Sequence, residues 1–251
     1  MTQPSKIVLI AALEREISGL VKGWEEHQIE LPNRQFKAKY WRHGDAVALA
    51  VGMGWEKAFA GTKVAIEAFR PELVTSIGFS GSLVSELKVA DILVPAQVIG
   101  SKTGAVHPIG TGTSTLVTVP GVVGGREKAE LAVQFGAHAV DMEAAAVAES
   151  CKAAGVRFAA IRSISDGIGD EMDFVGRFVA PDGFRTGAFV AYIAIRPQLW
   201  GALVRLAANS QRAADSLTKA LQEFVLQPER FLQTRSIAGV EDQGAASLAR
   251  K

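Results

Sequence analysis

Ile7-Val8-Leu9-Ile10-Ala11 is the stretch whose reading decides the fold: five apolar residues in a row, three of them β-branched. A run without polar alternation suits a strand buried on both faces, as in a parallel sheet. Working outward, similar runs recur at Ala46–Val51, Leu73–Ile77, Ile92–Val98, Leu116–Val119, Ala137–Met142 and Phe158–Ile164. Stretches with helical spacing lie between them. Trp55–Phe69 is halted by Pro71, Glu127–Phe135 is followed by Gly136, and Ala144–Ala154 by Gly155. Glycine just past the last helical residue is a common stop signal. Strands alternating with helices predict an α/β fold around a mostly parallel sheet.

The rest of the chain is less regular. Gly100–Thr115, rich in Gly, Thr and Ser, reads as a long loop. Pro197–Phe224 reads as one long amphipathic helix or two. With no linker to divide it, the chain reads as one domain over 1–226, including an apolar and helical extension at 174–226. Residues 227–251 form a polar tail expected to be partly disordered.

Composition removes several function classes. Of 251 residues, 48% are hydrophobic and 21% charged, so the chain can bury a core. Lys plus Arg number 27 and Asp plus Glu 26, which leaves no field for gripping nucleic acid. No secretory signal opens the sequence, and no apolar stretch reaches the length of a membrane span. The single Cys151 can make neither an internal disulfide nor a zinc site, which suggests a reducing, cytoplasmic setting. It sits among small residues in a predicted helix, as a buried inert thiol would.

In an open parallel sheet, ligands bind beyond the carboxyl ends of the strands. Leu13-Glu14-Arg15-Glu16 follows the first apolar run, and Gly52-Met53-Gly54 the second. Gly78-Phe79-Ser80-Gly81-Ser82, Asp141-Met142-Glu143 and Ser165-Asp166-Gly167 follow three others. Carboxylates and glycines in one register outline a polar cleft that backbone can approach closely. Each piece alone also reads as a turn or a helix start, and Glu14 suits the first turn of a helix on dipole grounds. Gly52-x-Gly54 has Lys57 where a dinucleotide fingerprint needs glycine, and no phosphate loop or Gly-x-Ser-x-Gly occurs. Asp166, Asp170, Glu171 and Asp173 do not match a calcium loop. His27, His43, His107 and His138 lack metal-ligand spacing and read as surface or packing residues. No metal or cofactor is expected.

The strings VDMEAAA at 140–146 and RSISD at 162–166, together with Leu13–Glu16, resemble the nucleoside phosphorylase and nucleosidase family. The resemblance spans roughly Ile7 to Gly167 and includes the VGMG and IGFSGSL turns. It implies one α/β domain around a mixed, partly closed sheet, and cleavage of the bond between ribose and a purine by phosphate or water. Such cleavage passes through an oxocarbenium-like sugar. By resemblance Asp166 is the general acid for purine N7, needing burial to keep its proton near neutrality. Ser165 would orient it. Glu143 would hold the ribose hydroxyls, and Met142 would pack on the sugar. Gly78 and Phe79 would line the substrate, and Val122 and Val123 would meet the purine.

Glu16 matches the glutamate that activates water in the nucleosidase branch, and a carboxylate there would repel phosphate. Arg15 is its neighbour, and a register moved by one would put that cation in place and favour phosphate instead. Phe79 stands where the family carries a serine, with Ser80 next. Gly54, Arg15 and Ser80 therefore fall on the phosphate or water side, and inorganic phosphate stays open as co-substrate.

Beyond Asp166 the chain carries Phe174, Phe178, Phe184, Phe189, Tyr192, Ile193, Ile195 and Trp200, with Arg205 and Arg212 further on. These read as a core, a subunit interface, or an apolar entrance. With the shortened segment before Asp141, they are similar to the branch called hopanoid-associated phosphorylase. That branch releases adenine from adenosylhopane. The resemblance thus implies a small-molecule or lipid-linked adenosyl substrate, a homo-oligomer, and peripheral contact with the inner face of the membrane. Two alternatives stand beside it: a soluble methylthioadenosine or S-adenosylhomocysteine nucleosidase, and a nucleoside-binding sensor without turnover.

Overall fold

All five residues of β1 (Ile7–Ala11) are buried, and their side chains divide between the two faces of the sheet. A computed structural model of the chain describes residues 6–30, 37–110, 113–170, 178–180, 183–185, 187–189, 192 and 195–237. Ile7, Leu9 and Ala11 join Ile77, Ile161 and Phe224 in one apolar cluster. Val8 and Ile10 join Val47, Val74, Phe69 and Val147 in another. A strand with two apolar faces and no solvent face is what the unbroken run demands.

β1 is flanked in parallel by β4 (Ala46–Ala50) and β5 (Leu73–Ser82). β11 (Arg157–Asp166) runs parallel along β5 from Leu73 to Gly81. β9 (Thr115–Thr118) is parallel to both β7 (Gln97–Gly100) and β10 (Ala139–Asp141). Antiparallel pairs complete the sheet. β2 (Glu25–Glu30) and β3 (Lys37–His43) extend one edge beyond β4, and β8 (Val106–Pro108) extends the other. β10 meets Gly81 and Ser82 at the end of β5, past the point where β1 stops pairing, and β6 (Ile92–Leu93) meets β11. The sheet is therefore mixed, and β5 is its hub.

α2 (Trp55–Phe69) and α4 (Ala144–Ala154) pack together on one face, and α5 (Trp200–Leu226) covers β11 on the other. α3 (Gly125–Phe135) covers Val117, Val119 and Val140 through Leu131. Gly136 and Gly155 end α3 and α4 in left-handed conformations that glycine adopts without strain. α5 is one 27-residue helix whose second half is buried through Ala213, Leu217, Leu221 and Phe224. Among the described residues no helix is long and apolar enough to cross a membrane.

Three expectations need correction. The run Ile92–Val98 is two short strands, because Pro95 between them offers no N–H to a ladder. The stretch read as a loop at 100–115 contains β8, which pairs His107 with Val98 and buries it. The tail read as polar from Gln227 begins with a helix, α6 (Pro228–Ile237). Phe231 packs on Phe224 there, with ring centroids 5.6 Å apart, and Glu229 pairs with Arg157. Of the aromatic extension, Phe178 stacks edge-on with Phe189 and Tyr192, whereas Phe174 and Ile193 lie outside the described residues.

Candidate active site

α1 (Glu14–Ile17) starts one short turn after β1, so its third residue lies at the carboxyl end of the sheet. That residue is Glu16, and it is buried. Its Oε2 accepts the Leu13 N–H at 2.8 Å, and its Oε1 accepts the Phe79 N–H at 3.2 Å. Gly78 makes this approach feasible. Its φ is +154°, and a Cβ there would stand 2.7 Å from Glu16 Oε1. Arg15 is exposed instead, with its guanidinium 5.4 Å from the centre of the Phe79 ring. Of the two neighbours, Glu16 is the one whose side chain faces the cavity.

Glu143 is the N-cap residue of α4, and its Oε1 accepts the Gly54 N–H at 2.8 Å. Gly54 is itself the N-cap of α2, at φ +93°. Glu16 and Glu143 line one cavity, together with Ser76, Gly78, Phe79 and Arg162. Burial pushes both carboxyl groups up. For Glu16 the amides of Leu13 and Phe79 and the nearby Arg162 and Arg15 work against that rise. For Glu143 burial is reinforced by the charges of Asp141 and Glu16 and opposed by the Gly54 amide and Arg162, and the group rises to about 8. Burial in one shared cavity makes both groups hold their protons more tightly than an ordinary glutamate does.

Behind this cavity lies a fully paired charge network. Arg162 Nη2 donates to Asp141 Oδ2 at 2.5 Å and to Ser76 Oγ at 2.8 Å. Arg162 Nη1 donates to the Ser76 carbonyl at 2.8 Å. Asp141 also accepts from the Thr118 hydroxyl at 2.6 Å and from the Ala144 N–H at 2.9 Å. Arg162 is the one cation lining the cavity among the described residues, and these bonds hold it.

Asp166 ends β11 behind a bulge: Ile164 pairs with Ser80 and Asp166 with Gly81, so Ser165 has no partner of its own. The extra residue re-aims the strand end, as bulges beside functional sites do. Asp166 is buried, and its Oδ1 accepts the Ser165 hydroxyl at 2.7 Å. Its Oδ2 lies 2.5 Å from Lys128 Nζ. Asp166 is not among the residues lining the cavity of Glu16 and Glu143.

The remaining candidates divide. Met142, Phe79 and Val122 are half-buried. Val123 is buried among Leu83, Val117 and Leu131 and serves packing. Ser80 is buried, and its hydroxyl has no hydrogen-bond partner among the described residues. Burial pushes the Cys151 thiol up to about 12, which suits an inert role. Among the described residues no group of three or more His, Cys, Asp or Glu is placed to hold a metal ion. Sequence reasoning quoted Arg162 and Asp141 inside motifs without a role, and it missed Lys128. A signal for Lys128 existed: with Gly124, Leu131 and Phe135 it falls on the inward stripe of α3, where a lone cation is out of place.

The fold has counterparts among known proteins. A family model described as "Phosphorylase superfamily" matches residues 6–115 and 102–180. A 5'-methylthioadenosine/S-adenosylhomocysteine nucleosidase from an Exiguobacterium species is 28% identical over 202 residues, covering 66% of this chain and 87% of the relative. One from a Marinomonas species is 28% identical over 204 residues, covering 66% and 88%. Among solved structures, the same kind of nucleosidase from Helicobacter pylori, bound to butyl-thio-DADMe-Immucillin-A, superposes with a TM-score of 0.64 at 20% identity. It covers 88% of this chain and 98% of that one. Futalosine hydrolase from the same organism also gives 0.64 at 20% identity, covering 88% and 97%.

Proposed function

The chain belongs to the phosphorylase superfamily, and on that premise we propose that it cleaves the N-glycosidic bond of a purine nucleoside, with water as the nucleophile and a small adenosyl compound such as methylthioadenosine or S-adenosylhomocysteine as substrate. The observation that carries this reading is the pair Glu16 and Glu143 on one cavity wall. Glu16, ionised, takes a proton from the attacking water. Because burial pushes it up, it sits nearer the working pH than an ordinary glutamate, as an efficient base does. Glu143 meets the ribose hydroxyls, and Asp166 supplies the proton to the departing base. Two facts favour water over phosphate. An inward carboxylate repels an anion, and the lining cation Arg162 is already committed to Asp141 and Ser76. The curated relatives, named as nucleosidases, support the same choice.

A second reading keeps the chemistry and changes the carrier: an adenosyl group on a hydrophobic hopanoid, met at a membrane surface. Its support is the exposure of Ile195, Trp200 and Val204 ahead of the buried half of α5. A third, a sensor without turnover, keeps the cavity alone. Product analysis separates all three. Methylthioadenosine and an adenosyl-lipid are incubated with the protein, with and without phosphate, and adenine and sugar products are resolved by chromatography. The expected result is adenine and free methylthioribose at a rate indifferent to phosphate. Turnover of the lipid alone favours the second reading, a ribose 1-phosphate product defeats the choice of water, and binding without release leaves the sensor.

A further inference from the structure

Lys128 has its Nζ 2.5 Å from Asp166 Oδ2 and 2.7 Å from the Gly167 carbonyl, and its side chain is 1% exposed. Few places suit a lysine less. It is the fourth residue of α3, near the helix end where the dipole disfavours a cation. Its stripe neighbour Leu131 sits in an apolar cluster with Val117, Val123 and Val140. A buried ion pair is also weak evidence for stability, since apolar replacements often match it. The surroundings are nonetheless built around the contact. Gly81 lies opposite Asp166 in the ladder, and a Cβ there would stand 2.7 Å from Asp166 Oδ2 and 3.3 Å from Lys128 Cε. The Gly167 N–H is taken by Asp170 Oδ2 at 2.8 Å, which fixes the loop whose carbonyl Lys128 also holds.

We propose that Lys128 is the positioning residue of the general acid: its ammonium, set by α3 against the bulged end of β11, aims the Asp166 carboxyl and replaces the proton that Asp166 gives up. This rests on the nucleosidase reading above. As the bond between C1′ and the purine nitrogen breaks, its electron pair goes to the base. Starting from the carboxylate and ammonium of the pair, Nζ of Lys128 passes one proton to Oδ2 as the Asp166 carboxyl delivers one to N7. The pair is left as a carboxylate and a neutral amine, and solvent restores the ammonium. Ser165, bonded to Oδ1, and Lys128, bonded to Oδ2, hold the carboxyl plane from both sides.

The experiment is a double-mutant cycle on the full chain with methylthioadenosine. Lys128→Met removes the ammonium. Lys128→Gln keeps a neutral donor in nearly the same place, so the cycle stays readable where the methionine variant folds poorly. Each is made in the natural background and in Asp166→Asn. In the natural background kcat is expected to fall at least about thirtyfold, with KM changed less than about threefold, within the range of general-acid effects. In the Asp166→Asn background the further loss is expected to stay below about twofold, because a residue that acts only through another adds nothing once that one is gone. Equal losses in both backgrounds, or a glutamine variant that keeps more than a third of the activity, would overturn the assignment. An inactive wild-type chain would instead defeat the nucleosidase reading beneath it.

Discussion

Two ends of one strand edge treat their carboxylates in opposite ways. At the cavity end, Glu16 and Glu143 are met only by backbone amides, from Leu13, Phe79 and Gly54. Neither has a cation of its own, and burial pushes both up. At the other end Asp166 is held by Lys128, and Asp141, behind the cavity, by Arg162. Residue type does not separate these groups, and neither does burial. What separates them is whether a neighbouring element delivers an ammonium or guanidinium. An amide offers a carboxyl oxygen one neutral donor, whereas a cation sets a full opposite charge beside it. The chain thus keeps its amide-held acids apart from its cation-held ones although all four lie at or just past the ends of strands that pair with β5.

The largest expected effect falls on the amide-held side. Glu16→Gln keeps size and one acceptor but cannot take a proton. It should lower kcat for adenine release by about a thousandfold, within the 10²–10⁴ span of general-base effects, while the melting temperature falls only modestly because one of the Leu13 and Phe79 N–H groups loses its acceptor. A loss under about tenfold in steady-state assays would mean that another group activates the nucleophile.

On the cation-held side the effect moves from rate to stability. Arg162→Met leaves Asp141 buried with only the Thr118 hydroxyl and the Ala144 amide. Removing one partner of a buried pair costs about 3–5 kcal/mol, so the midpoint of denaturant unfolding should drop sharply. A drop worth less than about 1 kcal/mol would show that the network is no more valuable than a surface pair. Gly81→Ala is milder, since Lys128 is a flexible chain that can yield. Its Cβ would press on Asp166 Oδ2, and kcat should fall about tenfold with little change in KM, an effect of misplacement within the chemistry.

The same contrast explains what the amino-acid sequence revealed. Strands buried on both faces announce themselves, and Ile7–Ala11 could be placed to the residue. Trp55–Phe69 and Ala144–Ala154 were equally plain, each closed by a left-handed residue or a halting proline. The hairpin of β2 and β3 was not legible, because EEHQIE reads as polar surface and forms a strand only by pairing with Lys37–His43. In the site, Glu16, Glu143, Ser165 and Asp166 stood in motifs at strand ends and could be named. Their partners could not. Lys128 lies 38 residues from Asp166 in the chain and Arg162 lies 21 from Asp141, and charge pairing over such distances is set by topology alone. The weakened acidity of Glu143 was invisible for the same reason, since it comes first from burial in the fold and then from the charges of Asp141 and Glu16 nearby.

The smallest expected effect tests that last point. In the folded chain Glu143 rises from 4.5 to about 8. Between those values the folded state keeps a proton that the unfolded chain has released. Stability therefore falls as pH climbs through this window and levels off above about 8. Glutamine at 143 can still accept the Gly54 amide but has no proton to lose. The melting temperature of Glu143→Gln should accordingly gain on the wild type between pH 5 and pH 9, by at least about 3 °C for a domain of this size. Thermal melts across that range read the gap directly. A gap that stays constant with pH would mean that Glu143 ionises in the fold as freely as in water. The contrast between amide-held and cation-held acids would then fail at its most exposed claim.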